Sequence, residues 1–543
     1  LEPLRDGIIG QPRAVQAMEF GLSVPSRGYN LFLTGPTGTG KTTYAQAKVR
    51  GIAQKRPSPP DWCYVYNFAQ PDHPRALAFP PGQGARFRRD MDELIEELRT
   101  EISRAFDSEQ YETRRGEIIS QGEREAANIW RQLEEEARQN RLLLQRTPTG
   151  VLTVPLTPDG RPLTQEQFAS LSEQARALWA EAARQMQARI NDALRRIRKV
   201  ERSTRQALRQ LERETGLFAA EHLIQGLKEA YADNADVVDY LDQVKEDVVE
   251  HLHLFRREPG EEEAHPLEFL MRRGAGDDPF LRYRVNLFVS HAHTSGAPVI
   301  VEPNPTYYNL MGRVEYQGEL GTLRTNFMMI KPGALHLANG GYLILQARDL
   351  LTAPGAWQAL KRALKTGEIR IESLADQVGV VATTSLRPQP IPLDVKIILI
   401  GDALLYYLLY THDEDFRKYF KIQVDFDTVM DRSEANEAAY AAFISAHCRR
   451  EGLLPFDRTG VARIIEYSSR LAGHRDKLST RFNDITEMLT EACVWARNEG
   501  AAVVSDRHVV RAIEAKIYRS NRLEESILEL IQRGTFLLDV DGY

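Results

Sequence analysis

The 543-residue sequence predicts an α/β protein: a parallel-sheet core, a long helical arm inserted into it, and an all-α bundle near the C-terminus. Three observations lead there. A Gly-rich turn from Gly35 to Thr42 lies between an apolar run and a helical stretch. Continuous apolar runs at Val299-Ile300-Val301, Tyr342-Leu343-Ile344-Leu345 and Lys396-Ile397-Ile398-Leu399-Ile400 read as central strands covered on both faces. Between the turn and these runs, the composition shifts to Glu, Arg, Gln and Ala with little β-branched content.

In chain order, residues 1–85 are the first part of the α/β core. Gln11 to Leu22 has helical spacing, Tyr29 to Leu33 is a short buried strand, a helix starts near Lys41, and Trp62 to Tyr66 is a second strand. Residues 86–265 form the arm. Met91 to Leu144 is helical in character. From Leu171 to Leu211 the apolar positions, Leu178, Met186, Ile190 and Ile197 among them, advance 40 residues in 11 steps, about 3.64 per step. That is the period of a straight helix, not of a heptad supercoil. Between these two stretches Pro148 to Gly160 carries prolines, alternation and a D-G turn, which predicts a small hairpin at the arm's tip. Pro259-Gly260-Glu261-Glu262-Glu263 is the exit loop. Residues 266–430 return to strand-and-helix alternation as the second part of the core, residues 431–520 are wholly helical in pattern, and 521–543 is a linker. The sequence starts at Leu1 without methionine and stops at an alternating stretch, Gly534 to Tyr543, with a D-G turn signal. A strand that lacks a partner predicts a further domain downstream, with a short tail pairing back on the chain as the alternative.

Bulk properties narrow the function. Hydrophobic residues make up 42% and charged residues 27%, with a net charge of -6. This mild acidity gives no basic footprint for nucleic acid. Cys63, Cys448 and Cys493 are far apart, without CxxC spacing, which points away from disulfides or zinc and towards a cytoplasmic protein. No run of 18 apolar residues is present, so no membrane span is expected.

The turn carries the chemistry. Gly35-Pro36-Thr37-Gly38-Thr39-Gly40-Lys41-Thr42 matches G-x-x-x-x-G-K-[ST] in the strand-to-helix setting that this motif requires. Its glycines let backbone N–H groups wrap phosphates, and the helix N-terminus adds partial positive charge. Lys41 is expected to reach the outer phosphates, Thr42 to hold Mg²⁺, and Thr43 to complete the loop. The His291-Ala-His293 and His251-Leu-His253 pairs have strand spacing for a metal, but no third ligand stands near either.

Further segments carry a resemblance. Ile8-Ile9-Gly10-Gln11 resembles the box ahead of the P-loop in AAA+ ATPases, where the apolar pair beds the adenine. Lys331 to Leu345, with Leu364-Lys365-Thr366-Gly367, resembles the "G-A-L-x-x-A-x-x-G-x-L-F-L-D-E" stretch of Lon-type ATPases. Asn304 to Arg313, Ile391 to Lys396 and Leu478 to Arg481 extend the resemblance over nearly the whole chain, to Lon-like ATP-dependent proteases with a long helical insertion. The resemblance implies ATP or ADP with Mg²⁺, a homo-oligomeric ring such as a hexamer, protein substrates, and a Ser–Lys peptidase domain after the present chain. It also implies that Arg481 is the lid arginine reaching the γ-phosphate. Arg417 is near the place of an arginine finger, with an ordinary surface arginine as the equal alternative. Tyr316, Gly318, Leu320 and Gly321 take the place of the pore loop, with an ordinary surface loop as the alternative.

The sequence departs from the family at one strand. Gln346 stands where the Mg²⁺-organising Asp is expected and Ala347 where the water-activating Glu is expected; Gly401-Asp402 replaces the usual first-sensor Asn or Thr. The phosphoryl-transfer parts are therefore incomplete. Three functions stay open: a substrate-gating or unfolding module for an attached peptidase, a non-hydrolysing ATP-binding scaffold, and, disfavoured by charge, a nucleic-acid motor. With Gln346 and Ala347 in place of the carboxylates, ATP should be bound far better than it is hydrolysed.

Overall fold

Alternating large apolar residues on short β-branched runs need cover on both faces, and the main sheet supplies it. The computed structural model describes residues 8–147, 150–157, 159–164, 167–168, 170–256, 278–319, 322–372 and 386–538. The chain divides into two units, residues 1–86 with 285–543, and residues 87–284.

The first unit is built on five parallel strands, β1 (Leu31–Thr34), β2 (Val299–Glu302), β3 (Tyr342–Gln346), β4 (Lys396–Ile400) and β5 (Ile422–Asp425). They lie in the order β5-β1-β4-β3-β2. Leu31 and Leu33, Tyr342 and Ile344, and Ile398 and Ile400 share one face, covered by Met18, Tyr44 and Val49. Phe32, Leu343, Leu345, Ile397 and Leu399 form the other, covered by Leu335, Leu350, Leu360 and Phe416. The period-2 alternation thus splits each apolar run between two cores. Two helices supply the cover on the first face: α1 (Pro12–Ser23) and α2 (Lys41–Ala53). Gly21 lets α1 press onto the sheet, since a Cβ there would lie 2.9 Å from Leu31.

Three expectations need correction. Val299 to Val301 is not central: β2 is the sheet edge, and Val301 is exposed. An apolar run specifies neither how many neighbours a strand has nor how fully it is covered: Val299 and Ile300 are half-buried and Val301 is exposed. Trp62 to Tyr66 contributes Asp61–Val65 to a separate antiparallel sheet, between Arg75–Phe79 and Asn286–Val289. The C-terminal bundle is not wholly helical. A two-stranded ladder joins Val429–Asp431 to Lys477–Ser479 among the helices Glu434–Arg450, Arg458–Ala472, Phe482–Asn498 and Asp506–Ser520. Its core of Tyr440, Ile464, Leu478, Met488 and Cys493 also takes in Ile9. Cys63, Cys448 and Cys493 are all buried free thiols, and burial pushes Cys448 up to about 11.

After the bundle, Arg522–Gln532 is a helix and 533–538 contains no strand, so the expected strand at 534–543 is not formed in its described part; 539–543 lies outside the described residues. So does the exit loop expected at 259–263.

The second unit is helical because its sequence offers strong helix formers and three good caps. Glu109–Gln139, Glu173–Ala230 and Ala235–Glu250 start at Ser108, Ser172 and Asn234, each accepting a bond from an N–H three residues on. Glu173–Ala230 has 58 residues, about 87 Å at 1.5 Å per residue. The two longer helices approach closely where Gly122 meets Thr204. Leu142–Thr147 and Gly150–Pro155 form an antiparallel hairpin, and its Leu142 packs with Leu133, Ala137, Met186 and Ile190. Two expectations fail in detail. The helical reading of Met91 to Leu144 breaks at Asp107 and ends at Gln139, because Arg141 takes a left-handed φ of 57° and turns the leucines after it into strand. Leu178, expected to face inward, is 74% exposed. No helix among the described residues is long and apolar enough to cross a membrane.

Candidate functional site

The site grows from the C-terminal ends of β1, β4 and β3, side by side in that order. Such an edge is where open parallel sheets hold ligands. After Thr34 the chain makes the Gly-rich turn and enters α2 at Lys41. Gly35, Gly38 and Gly40 have φ of 142°, 90° and 82°, values that side chains resist. Close packing adds to this at Gly35, where a Cβ would come within 2.8 Å of the Phe426 carbonyl. Thr39 ties the turn by donating to the Pro36 carbonyl at 3.0 Å. The first-turn N–H groups of α2 have no partner inside the helix.

Lys41 is only 8% exposed. Its ammonium donates to the carbonyls of Gly35 at 2.7 Å and Pro36 at 2.6 Å. Burial lowers its pKa, and the charge of Asp402 works the other way. Thr42 is half-buried and Thr43 exposed. Asp402 follows β4, whose Ile400 pairs with both Leu33 and Gln346. The Gly401 N–H donates to the Leu33 carbonyl at 2.9 Å. The Asp402 carboxylate accepts from the Leu405 N–H at 2.7 Å and lies 3.6 Å from Arg348. In the sequence Asp402 stands out only as an odd residue; its place beside Lys41 comes from the register of β1 and β4.

Gln346 ends β3 and caps the helix Ala347–Thr352 without a side-chain bond. Ala347 is fully buried, and a Cβ on Gly401 would touch it at 3.4 Å. Asp349 is exposed further along that helix. The donor set for a phosphate chain is therefore present in the turn and Lys41. For Mg²⁺ the Thr42 hydroxyl and the Gln346 amide offer neutral oxygens, and Asp402 is the carboxylate acting on Lys41.

The bundle reaches the turn. The Asn483 N–H bonds the Gly38 carbonyl at 3.4 Å, and the exposed Arg481 stands two residues earlier. Its guanidinium pairs with no carboxylate among the described residues. Gln11 does something the sequence does not reveal. Its amide donates to the Asp427 carbonyl at 2.8 Å and accepts from the Asp427 N–H at 3.0 Å. Thr480 bonds the same carbonyl. Ile9 is sunk in the bundle's core, leaving Ile8 half-buried and partly open to solvent.

The remaining candidates lie apart in kind. Arg417 is exposed and lies over the Tyr410 ring, 5.4 Å from its centroid. Tyr316, 38% exposed, precedes a hairpin of Gln317–Glu319 and Thr322–Arg324; Leu320 and Gly321 fall outside the described residues. His291 is buried, its N–H given to Asp61 at 2.7 Å, and His251 bonds Asp247. No metal-type cluster occurs among the described residues.

Family descriptions match three parts of the chain: "LonB-like, AAA domain" over 295–427, "Archaeal LonB, AAA+ ATPase LID domain" over 455–519, and "Lon-like LonC helical domain" over 61–94. The Archaeal Lon protease of Archaeoglobus fulgidus is 27% identical over 219 residues, 39% of this chain and 34% of that protein. That of Thermoplasma volcanium is 22% identical over 264 residues, 45% of this chain and 40% of that protein. The chain thus spans well under half the length of these relatives. Among solved structures, NtrX from Brucella abortus in complex with ATP shares 14% identity at a TM-score of 0.27, over 53% of this chain and 60% of that one.

Proposed function

We propose that this chain, which is a Lon-like AAA+ module, binds ATP or ADP through Gly35 to Thr43 and gates or unfolds protein substrates for a peptidase. Lys41 holds the outer phosphates, Thr42 carries Mg²⁺, Ile8 lies beside the base and Arg481 reaches in from the bundle. Bound nucleotide supplies phosphate charge that can exchange with the loop carbonyls for the Lys41 ammonium. The peptidase and the ring of like subunits are inferred from the Lon proteases to which the chain is similar.

One observation carries the reading: a complete phosphate turn, with Lys41 nearly buried, shares a sheet edge with Gln346 and a buried Ala347. Binding residues are in place, while the strand expected to bring carboxylates brings an amide and a methyl group. Nucleotide is therefore held more as a structural and switching ligand than as fuel. Calorimetry with ATP and ADP, paired with a sensitive phosphate-release assay, tests this. Saturable binding lost in Lys41→Ala, with slow release, is expected; no binding, or brisk release by the parent chain, overturns it. The buried Ala347 specifically favours the second reading, an ATP-fixed scaffold with no turnover.

A further inference from the structure

The opposite edge of the same sheet holds a second concentration of charge. The strands β1, β3 and β4 begin at Leu31, Tyr342 and Lys396, about 16 Å from the turn at 3.3 Å per residue. There a cavity of about 620 Å³ opens, lined by Arg27, Arg56, Lys396 and Lys418, with Asp394 as the one acidic lining residue among the described residues. We propose that this cavity binds a small oxyanion carrying two or more negative charges.

Two of the cations, Lys396 and Arg56, are anchored by hydrogen bonds, and neither is neutralised by a carboxylate pair. Lys396 donates to the carbonyls of Val24 at 2.7 Å and Tyr29 at 2.9 Å. Those carbonyls orient the ammonium and bring only partial charge, and one of its three N–H groups remains. Arg56 gives Nη1 to the Tyr342 hydroxyl at 3.4 Å and lies over that ring. Its guanidinium acts on Lys396 as a like charge: burial chiefly, and then Arg56, depress the lysine, while Asp394 opposes them. Lys418 has Asp415 at 3.1 Å. Arg27, Arg56 and Lys396 form no ion pair among the described residues. Facing cations in a half-enclosed space repel, and an anion between them turns that repulsion into attraction. The volume falls in the range of small-molecule sites, and forked guanidinium groups suit phosphate or carboxylate oxygens. Three cations without an ion pair, against the one carboxylate of Asp394 among the described lining residues, favour a multivalent anion.

The Lys41→Ala chain weakens the phosphate turn as a competing anion site, and the Arg27, Arg56 and Asp394 variants, which lie at the other edge of the sheet, report on the cavity alone. Pyrophosphate and citrate are titrated into it by calorimetry at low ionic strength. Saturable binding of either is expected, weakened about tenfold or more in Arg56→Gln with Arg27→Gln and strengthened in Asp394→Asn. Pyrophosphate alone would mark a phosphate ligand, and both together a general polyanion. No saturable binding, or an affinity unmoved by the arginine and aspartate variants, overturns the proposal. These three side chains are exposed, and unchanged melting temperatures confirm that each variant folds.

Discussion

The exits of β1 and β3 stand two places apart in one parallel sheet, and each turns into a helix. At β1 the turn takes six residues, three of them glycines with positive φ, and delivers a lysine. At β3 no turn intervenes: Gln346 is already the cap of the next helix, and Ala347 is sealed into the core beside Gly401. The first exit spends backbone strain on holding open a cradle. The second has relaxed into ordinary packing. One sheet edge thus carries an open glycine-rich turn at one strand exit and a closed, packed exit two strands away.

The sharpest break in this comparison is Lys41→Ala. It removes charge-assisted bonds of about 2 kcal/mol each to the phosphates, so ATP affinity should fall by about 10³-fold in calorimetry. An affinity within a few-fold of the parent would mean that the β1 exit is no cradle. On the other side, Gln346→Asp should raise phosphate release by about tenfold, because the position is half-open and a carboxylate can orient a metal's water. Adding Ala347→Glu serves as a contrast. That methyl is fully buried, so the larger acid should cost about 1–3 kcal/mol of stability, seen as a lower melting temperature. A double variant that melts with the parent and hydrolyses briskly would show the β3 exit to be roomier than described.

Gly38→Ala probes the strain at β1. With φ at 90° and Asn483 only 3.1 Å from the added Cβ, it should cost about 1–2 kcal/mol and weaken nucleotide binding. A further effect, confined to acid pH, concerns His336, which lies ahead of β3. Burial pushes it down to about 3, from 6.5 when free. The unfolded chain therefore takes up this proton first. Stability is full above about pH 6.5 and falls towards pH 3, by about 1.4 kcal/mol per unit once the unfolded histidine is charged. His336→Gln should flatten that part of a denaturation-against-pH curve, and an unchanged slope would assign it to other groups.

The two exits also differ in how far the sequence reveals them. The phosphate turn is contiguous, and each residue's part follows from local conformation, so Gly35 to Thr42 is legible together with its strand and helix. The substitutions at Gln346 and Ala347 are legible as identities, but not the burial of Ala347, which depends on Gly401 across the sheet. Long-range pairs are hidden altogether: Gln11 with Asp427, Asn483 with Gly38, Asp402 near Lys41. Val299 to Val301 reads as central although it is an edge, because hydrophobicity does not specify pairing. Leu142 to Leu144 looks helical because leucine favours helices, while the left-handed Arg141 that reverses the chain leaves no compositional trace.

The joint between core and bundle has a consequence for signalling. Gln11, at the start of α1, and Thr480, from the bundle, both bond the Asp427 backbone, and the Asn483 N–H donates to the Gly38 carbonyl. The helix Phe482–Asn498 therefore meets the turn close to its own N-terminal end, through the Asn483 N–H and the Gly38 carbonyl. Reciprocity then applies: a partner that favours one tilt of the bundle changes affinity at the turn by the same factor that occupancy of the turn changes the partner's.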